Sequence, residues 1–217
     1  MASLSAEPLS KTTRPAVGPL EVLAEARRRF AAGRRLDMRE LAADMGISRA
    51  TLYRWVGDRE RLLGEVLWGF AEAGLEQARS CADANATDQG ADWVARFCLR
   101  FMETTATFQP IRRFVEAEPD AALRVLTSHH GVQHQRLIAT LRLTLEERAA
   151  AGYLDLPMSA ADLAYVINRV AESFIWREFI TGEQGGESDL TRAAGVVRIL
   201  LGARNPVTTA RNAELSH

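Results

Sequence analysis

No proline interrupts the chain between Pro19 and Pro110, and this interval is rich in alanine, leucine, arginine and glutamate. These residues favour helices, and no segment alternates apolar and polar residues between turn residues in the way that a strand does. Helix boundaries are marked instead by serine, aspartate, glycine and proline. The sequence therefore predicts an all-α fold of about nine helices.

Capping residues and apolar spacing place the predicted helices along the chain. The helices cover about 19–32, 38–45, 49–56, 59–79, 90–108, 110–118, 132–151, 160–181 and 188–203. A further helical stretch begins at Pro119, and the small, polar residues 81–89 predict a loop. In the first helix, the expected apolar stripe is Leu20, Leu23, Ala26 and Phe30. Residues 1–18 and 205–217 are predicted to be a disordered arm and a disordered tail.

Composition excludes several classes of protein. No run approaches the roughly 18 apolar residues of a membrane-spanning helix, and residues 1–19 lack the apolar core of a signal peptide. The two cysteines, Cys81 and Cys98, are too few for a disulfide framework or a metal knuckle. We therefore expect a reduced, cytoplasmic protein without a cofactor or a metal.

Residues 37–63 carry the clearest functional pattern. They read DMRELAADMGISRATLYRWVGDRERLL, which predicts two short helices joined at Gly46. Ala42 is small enough to let these helices approach closely, and Ile47 is placed to fill the turn. Such an arrangement is typical of a helix-turn-helix, whose second helix enters the DNA major groove. Residues 19–60 are accordingly predicted to be a DNA-binding domain.

The second helix of this motif carries side chains suited to DNA. The candidate DNA-binding residues are Arg49, Ala50, Thr51, Tyr53, Arg54, Trp55 and Arg59. The hydroxyl and indole groups among them can donate hydrogen bonds to phosphate oxygens, which position a protein without reading sequence. Arg49 and Arg54 can read guanine edges, and Ala50 can contact a thymine methyl group. Arg59 begins the next helix and is predicted to reach the DNA backbone.

The net charge of −1 hides an uneven distribution. Residues 1–61 carry 12 basic and 8 acidic side chains, a net charge of +4, whereas the rest carry 15 and 20, a net charge of −5. A basic N-terminal third on an acidic body is expected of a protein that reads DNA with one part and senses an effector with another.

The motif resembles that of the TetR family of bacterial transcriptional repressors. The matching residues are Leu41-Ala42, Gly46-Ile47-Ser48, Thr51-Leu52-Tyr53, Trp55-Val56, Arg59 and Leu62-Leu63. Val56 stands where the family usually has phenylalanine, Arg59 where it has lysine, and the link from Phe30 to Leu41 is shorter than usual. The body resembles the QsdR-type regulators of lactone and quorum-signal catabolism in actinobacteria.

This resemblance implies a homodimer that binds operator DNA and a small-molecule effector. Residues 61–204 would form the effector-binding and dimerisation domain, and its last two helices would build a four-helix interface with a second copy. Candidate interface residues are Phe174, Val196 and Leu200. The 160–181 helix is apolar nearly all round, which supports burial on more than one side. The alternative is that this helix is the centre of a monomeric bundle.

The resemblance also implies a ligand cavity within the body. Candidate lining residues are Trp93, Phe97, Phe101, Phe114, His134, Leu137, Asn168 and Glu172. Apolar walls with few polar groups describe a small-molecule site, but they also describe an ordinary helical core. Asn168 and Glu172, one helical turn apart, are expected to face either the ligand or the dimer seam. His130 and His134 have the spacing of a metal-binding pair, yet no carboxylate shares their face, and no metal is predicted.

The sequence thus predicts a dimeric repressor whose operator affinity is controlled by a small, mostly apolar ligand. Two alternatives stay open, an architectural DNA-binding protein without an effector and a helical enzyme. The enzyme is the weaker alternative, because the sequence shows no nucleophile–base pair, phosphate loop or pair of carboxylates in a cleft pattern.

Overall fold

The computed structural model of the protein describes residues 17–128, 131–177 and 187–202. Within these ranges the chain is all-helical, as predicted, with ten α-helices. They are α1 (Pro19–Ala31), α2 (Met38–Asp44), α3 (Arg49–Val56), α4 (Arg59–Asn85), α5 (Ala91–Thr107), α6 (Gln109–Ala117), α7 (Pro119–Thr127), α8 (Val132–Ala150), α9 (Ala160–Ile175) and α10 (Glu187–Leu200). The predicted tail, residues 1–16 of the predicted arm and the predicted helical residues 178–181 lie outside the described ranges.

Capping residues start the first helices where the sequence predicts. The Asp37 carboxylate accepts the backbone N–H groups of Glu40 and Arg39 at 3.0 and 2.7 Å, and these bonds lower the pKa of Asp37. Ser48 Oγ accepts the N–H of Thr51 at 3.1 Å. Each cap satisfies N–H groups that have no partner within the helix, which fixes the first residue of α2 and of α3.

The first three helices form an N-terminal head (α1–α3) around an apolar core to which α4, α6 and α7 also contribute. Val22, Leu41 and Leu52 are completely buried there. Leu20, which the sequence predicts to face inward, is 77% exposed. That prediction is wrong because Leu20 lies in the first turn of α1, beyond the core, and Val22 fills the inward position instead.

Helix α4 extends from the head into the body and is longer than predicted. It ends at Asn85, so residues 81–85 are helical and not part of a loop. Ala78 and Ala82 are completely buried against the body core, and Asn85 Nδ2 donates to the Cys81 carbonyl at 2.8 Å. Tertiary burial of the alanine face therefore stabilises a segment whose polar composition alone indicates a loop.

A glycine in α4 permits close contact between α4 and α1. A Cβ atom at Gly69 would lie 2.1 Å from Nη2 of Arg27, whose side chain crosses α4 at this point. Glycine weakens a helix by about 1 kcal/mol relative to alanine. Its presence here is explained by the room that the arginine side chain needs.

The C-terminal body consists of α5, α8, α9, α10 and the second half of α4. Its most deeply buried residues include Trp93, Met102, Leu145, Leu163 and Ile167. The body is thus a packed helical bundle that places α5, α8 and α9 around a common interior.

None of the described helices combines the length and the apolar character that are needed to cross a membrane.

Helices α6 and α7 share the core of the N-terminal head. Ile111 and Phe114 of α6 and Val125 of α7 belong to the same apolar cluster as Val22. The rings of Phe114 and Phe30 meet edge to face, with centroids 5.6 Å apart. Because protein cores are close-packed, a displacement of α6 or α7 must disturb the packing of the head.

Candidate DNA interface and ligand cavity

The α2–turn–α3 segment has the geometry of a helix-turn-helix. Gly46 adopts φ +68°, a left-handed conformation that favours glycine, and its N–H donates to the Ala43 carbonyl at 3.0 Å. The N–H of Ile47 donates to the carbonyl of Ala42, which is 2% exposed at the helix contact. Ile47 packs against the core of the head. The predicted roles of Gly46, Ala42 and Ile47 in the turn are therefore confirmed.

One face of α3 is free of intramolecular contacts to its polar groups. Arg49, Ala50, Tyr53 and Arg54 are exposed, whereas Leu52 of the same helix is completely buried. Among the described residues, neither arginine has an ion pair, and the Tyr53 hydroxyl has no hydrogen bond. Arg49 and Tyr53, and likewise Ala50 and Arg54, are neighbours on the helix surface because they are four positions apart.

Thr51 and Trp55 flank this face and are half-buried. The Ser48 hydroxyl donates to Thr51 Oγ1 at 3.0 Å, which leaves the hydroxyl hydrogen of Thr51 free to donate elsewhere. Trp55 packs partly on the core of the head. Both residues thus lie at the border between the apolar core and the exposed face of α3.

The body contains an inner cavity of about 60 Å³ and, beside it, an outer cleft of about 220 Å³. Helices α4, α5, α7, α8 and α9 enclose the inner cavity, whereas the outer cleft lies between α4, α5, α6 and α8 and opens at Ala73 and Gln77. Phe101, Thr105 and Gln133 line both and form the wall between them. A cavity of about 150 Å³ holds benzene. The outer cleft exceeds this volume and the inner cavity does not, so the outer cleft is the larger of the two adjoining spaces for an organic ligand.

A cluster of polar side chains closes one end of the inner cavity. Glu172 Oε1 accepts from Asn168 Nδ2 at 2.8 Å and lies 3.0 Å from Nδ1 of His134. Glu172 Oε2 accepts from Arg169 Nη1 at 2.6 Å. The carboxylate is thereby neutralised and hydrogen-bonded on both oxygens, as a buried charge requires.

The wall of the inner cavity also includes a cysteine. Burial raises the pKa of the Cys98 thiol to about 12, so the group is neutral at physiological pH.

The body also matches a known family of protein domains. Residues 89–202 match the family described as "Tetracyclin repressor-like, C-terminal domain", and this segment is more than half of the chain. The chain belongs to the TetR family. The resemblance seen in the helix-turn-helix segment is thus confirmed by an independent part of the sequence.

Solved structures of several regulators share the fold. The transcriptional repressor QsdR of R. erythropolis is 27% identical, with a TM-score of 0.77, over 86% of this chain and 96% of QsdR. The repressor AlkX of Dietzia sp. strain DQ12-45-1b, implicated in biodegradation of n-alkanes, is 21% identical, with a TM-score of 0.57, over 85% and 94% of the two chains. The fatty acid degradation regulator FadR of Bacillus halodurans is 14% identical, with a TM-score of 0.51, over 87% and 96%. No curated protein sequence matches the chain.

In this TetR-family chain, the Arg59 side chain is hydrogen-bonded to other residues of the protein. Its Nε donates to the Leu36 carbonyl at 2.7 Å, and its Nη2 pairs with Glu118 Oε1 at 2.7 Å. Arg35 adds a second contact to Glu118 at 3.5 Å. The expected phosphate contact of Arg59 does not agree with this geometry, because its guanidinium already joins the head to the α6–α7 junction.

Five of the eight residues predicted to bind the ligand line the inner cavity. They are Phe97, Phe101, Leu137, Asn168 and Glu172. Asn168 and Glu172 thus line the cavity, in agreement with the first of the two orientations that the sequence leaves open. His134 lies behind the wall in the polar cluster, and His130 lies outside the described residues.

Two predicted ligand residues are placed elsewhere. Trp93 is completely buried in the body core, stacked on Phe97 at a centroid distance of 5.4 Å. Phe114 belongs to the core shared by the head and α6. An aromatic side chain on an inward face fits a cavity wall or a packed core equally well, so the sequence pattern does not distinguish them.

Gln133 is a cavity residue that the sequence reading missed. It is 5% exposed, and its buried Oε1 atom has no hydrogen-bond partner in the part of the chain that the structure describes. Its spacing with Leu137 and Leu141, four and eight residues later, places it on the inward face of α8. A glutamine in that pattern is the signal that would have revealed it.

The candidate interface residues of α9 and α10 are half-buried in the single chain. Phe174 and Leu200 pack partly on the body core, and Val196 is half-buried beside them. Ile199 of α10 is 54% exposed and Tyr165 of α9 is 48% exposed. An apolar outer face therefore remains on the two helices for which the sequence predicts dimerisation.

Proposed function

We propose that this TetR-family regulator is a homodimeric repressor whose affinity for operator DNA is controlled by a small, mostly apolar ligand. The observation that carries the proposal is the exposed face of α3, whose Arg49, Tyr53 and Arg54 have no partners among the described residues. In the cytoplasm, where DNA is available, this face would enter the major groove of an operator.

The side chains of α3 divide into two roles in this proposal. Arg49 and Arg54 read guanine edges, and the Ala50 methyl contacts a thymine methyl group. Thr51, Tyr53 and Trp55 donate to phosphate oxygens and so fix the position of the helix in the groove. Arg59 is left out of the interface because its guanidinium is bound to Glu118 and Leu36.

A matched pair of variants tests these two roles. Tyr53→Phe should weaken binding to operator and unrelated DNA by the same factor, since a phosphate contact carries no sequence information. Arg49→Ala should instead lower the ratio of operator affinity to affinity for unrelated DNA by roughly tenfold, because a base contact is lost. Fluorescence anisotropy with labelled duplexes measures both affinities.

Tyr153→Phe, at an exposed site in the body, is the control and should change neither affinity. A uniform loss for Arg49→Ala, or unchanged binding for Tyr53→Phe, would contradict the assigned roles.

The effector would act through contacts that run from the cavity to the head. Arg169, which holds Glu172 at the cavity end, also donates to the Thr127 carbonyl of α7 at 3.4 Å. The α7 residue Arg124 pairs with Glu60 of α4 at 2.9 Å. A ligand that displaces the polar cluster would shift α7 and thereby the head. It controls DNA binding only if its affinity differs between the protein with the head shifted and the protein with the head unshifted.

Mass spectrometry of the purified full chain under native conditions tests the effector control. We expect a small organic molecule to be retained, and its addition or removal should change operator affinity at least fivefold. Retention of no ligand, together with operator affinity that no cell extract changes, would favour the architectural DNA-binding protein instead.

Dimerisation through α9 and α10 completes the proposal. Phe174, Val196 and Leu200 would lie in a four-helix interface with a second copy. Two-fold symmetry would place two α3 helices against a palindromic operator whose half-sites are about 34 Å apart, or a multiple of that distance. Sedimentation equilibrium of the full chain measures the dimer directly, and a monomer at micromolar concentration would contradict it.

A further inference from the structure

The wall between the inner cavity and the outer cleft is built from hydrogen-bond acceptors. Gln133 presents a buried Oε1 atom that has no hydrogen-bond partner within residues 17–128, 131–177 and 187–202. Thr105 and Thr104 donate their hydroxyl hydrogens to the carbonyls of Phe101 and Arg100, both at 2.9 Å. Their oxygen atoms can therefore only accept a further hydrogen bond. The wall thus offers two acceptor oxygens, those of Gln133 and Thr105, and Thr104 adds a third within the outer cleft.

Charges around the two spaces are absent or already balanced. None of the described residues that line the outer cleft is charged. Among the described residues that line the inner cavity, Glu172 is the only acidic or basic one, and it is paired with Arg169 and bonded to Asn168. A ligand carboxylate would approach the Glu172 carboxylate, and a ligand ammonium group would have to displace Arg169. Since burying an unpaired charge is strongly unfavourable, these surroundings select an uncharged ligand.

From these observations we infer that the effector is a neutral molecule with an apolar body and an N–H or O–H group, which donates to Gln133 Oε1. This inference rests on the proposed effector control and specifies its chemistry. The apolar part lies against Phe101, Phe70 and Phe108 in the outer cleft. The donor provides the bond that Gln133 lacks in the free protein, so binding removes a buried unsatisfied group.

Two probes of nearly equal size test the inference with the unaltered full chain. N-hexylacetamide carries an N–H donor, whereas N-hexyl-N-methylacetamide retains only the carbonyl acceptor. We expect the first to bind at least about tenfold more tightly, because only it can satisfy the orphaned oxygen. Quenching of tryptophan fluorescence measures both affinities, since Trp176 lines the inner cavity. Octanoate, an anion of similar length, is expected to bind more weakly than N-hexylacetamide.

Gln133→Met removes the acceptor while keeping an unbranched side chain of similar length. We expect this variant to bind both amides with equal affinity and to melt at a higher temperature than the original protein without ligand. Gln135→Met, on the exposed side of the same helix, is the matched control and should retain the preference for the N–H compound. Equal affinity for the two amides in the original protein, or a preference that survives in Gln133→Met, would overturn the inference.

The outcomes separate this inference from the proposed function. Binding of both amides with equal affinity, accompanied by release of the operator, would overturn the donor requirement and leave effector control intact. Binding of neither amide would overturn the donor requirement, and the mass-spectrometry experiment would then decide effector control on its own.

Discussion

Replacement of Trp93 by alanine should lower the free energy of unfolding by about 3–5 kcal/mol. The indole is completely buried, and its Nε1 donates to Asp83 at 2.7 Å. The Arg148 guanidinium lies 3.6 Å from the ring centroid, which adds a cation–π contact to the stacking on Phe97. Truncation would leave a large cavity and would remove the indole donor from Asp83, whose carboxylate would keep only its 3.4 Å contact with Arg148. Urea unfolding followed by circular dichroism measures the loss.

Trp93→Phe separates packing from ligand binding at the same position. We expect a smaller loss, about 1–2 kcal/mol, because the ring stacking persists while the bond to Asp83 is lost. Affinity for the ligand should be unchanged, since Trp93 does not line the cavity. Trp68→Ala, at a half-buried position of α4, is the control and should cost less than Trp93→Ala. A Trp93→Phe protein of normal stability that no longer binds ligand would restore the role predicted from the sequence.

Replacement of Phe114 by alanine should cost about 3 kcal/mol or more and should also weaken operator binding. Phe114 is 7% exposed and packs on Phe30 of α1, so its loss opens the core that supports the head. The second effect follows because α3 is positioned by that core. Chemical unfolding and anisotropy with operator DNA measure the two quantities on the same preparation.

Phe114→Leu provides the comparison for this position. Leucine fills much of the same space, and we expect a loss below about 1.5 kcal/mol with operator affinity close to that of the original protein. Operator binding that is unaffected even in Phe114→Ala would mean that the head does not depend on α6 for its position.

Local signals in the sequence are sufficient to predict the helix-turn-helix. Asp37, Ser48 and Gly46 act through bonds to residues two or three positions away, so their effect can be predicted without knowledge of the fold. The end of α4 could not be predicted in this way. Ala82 is held in a helix by burial against α5, and that contact is tertiary.

The role of Arg59 depends on a residue far away in the chain. Its partner Glu118 follows 59 positions later, and no pattern near Arg59 announces the pair. The candidate ligand residues illustrate the same limit, because Phe97 and Trp93 are adjacent on one helical face while only Phe97 borders the cavity. A polar residue on an inward face indicates a cavity wall better than an aromatic residue does, and Asn168, which lines the inner cavity, is an example.

The buried Cys98 thiol has a consequence for the chemistry to which the protein can respond. With a pKa of about 12, almost none of it is thiolate at neutral pH, and the thiolate is the form that attacks electrophiles and oxidants. An effector in the cavity would therefore be held without a covalent bond to this sulfur. Peroxide and alkylating agents in solution would meet Cys81 instead, which is half-buried near the end of α4. The folded chain thus offers one reachable thiol, well suited to carrying a spectroscopic label.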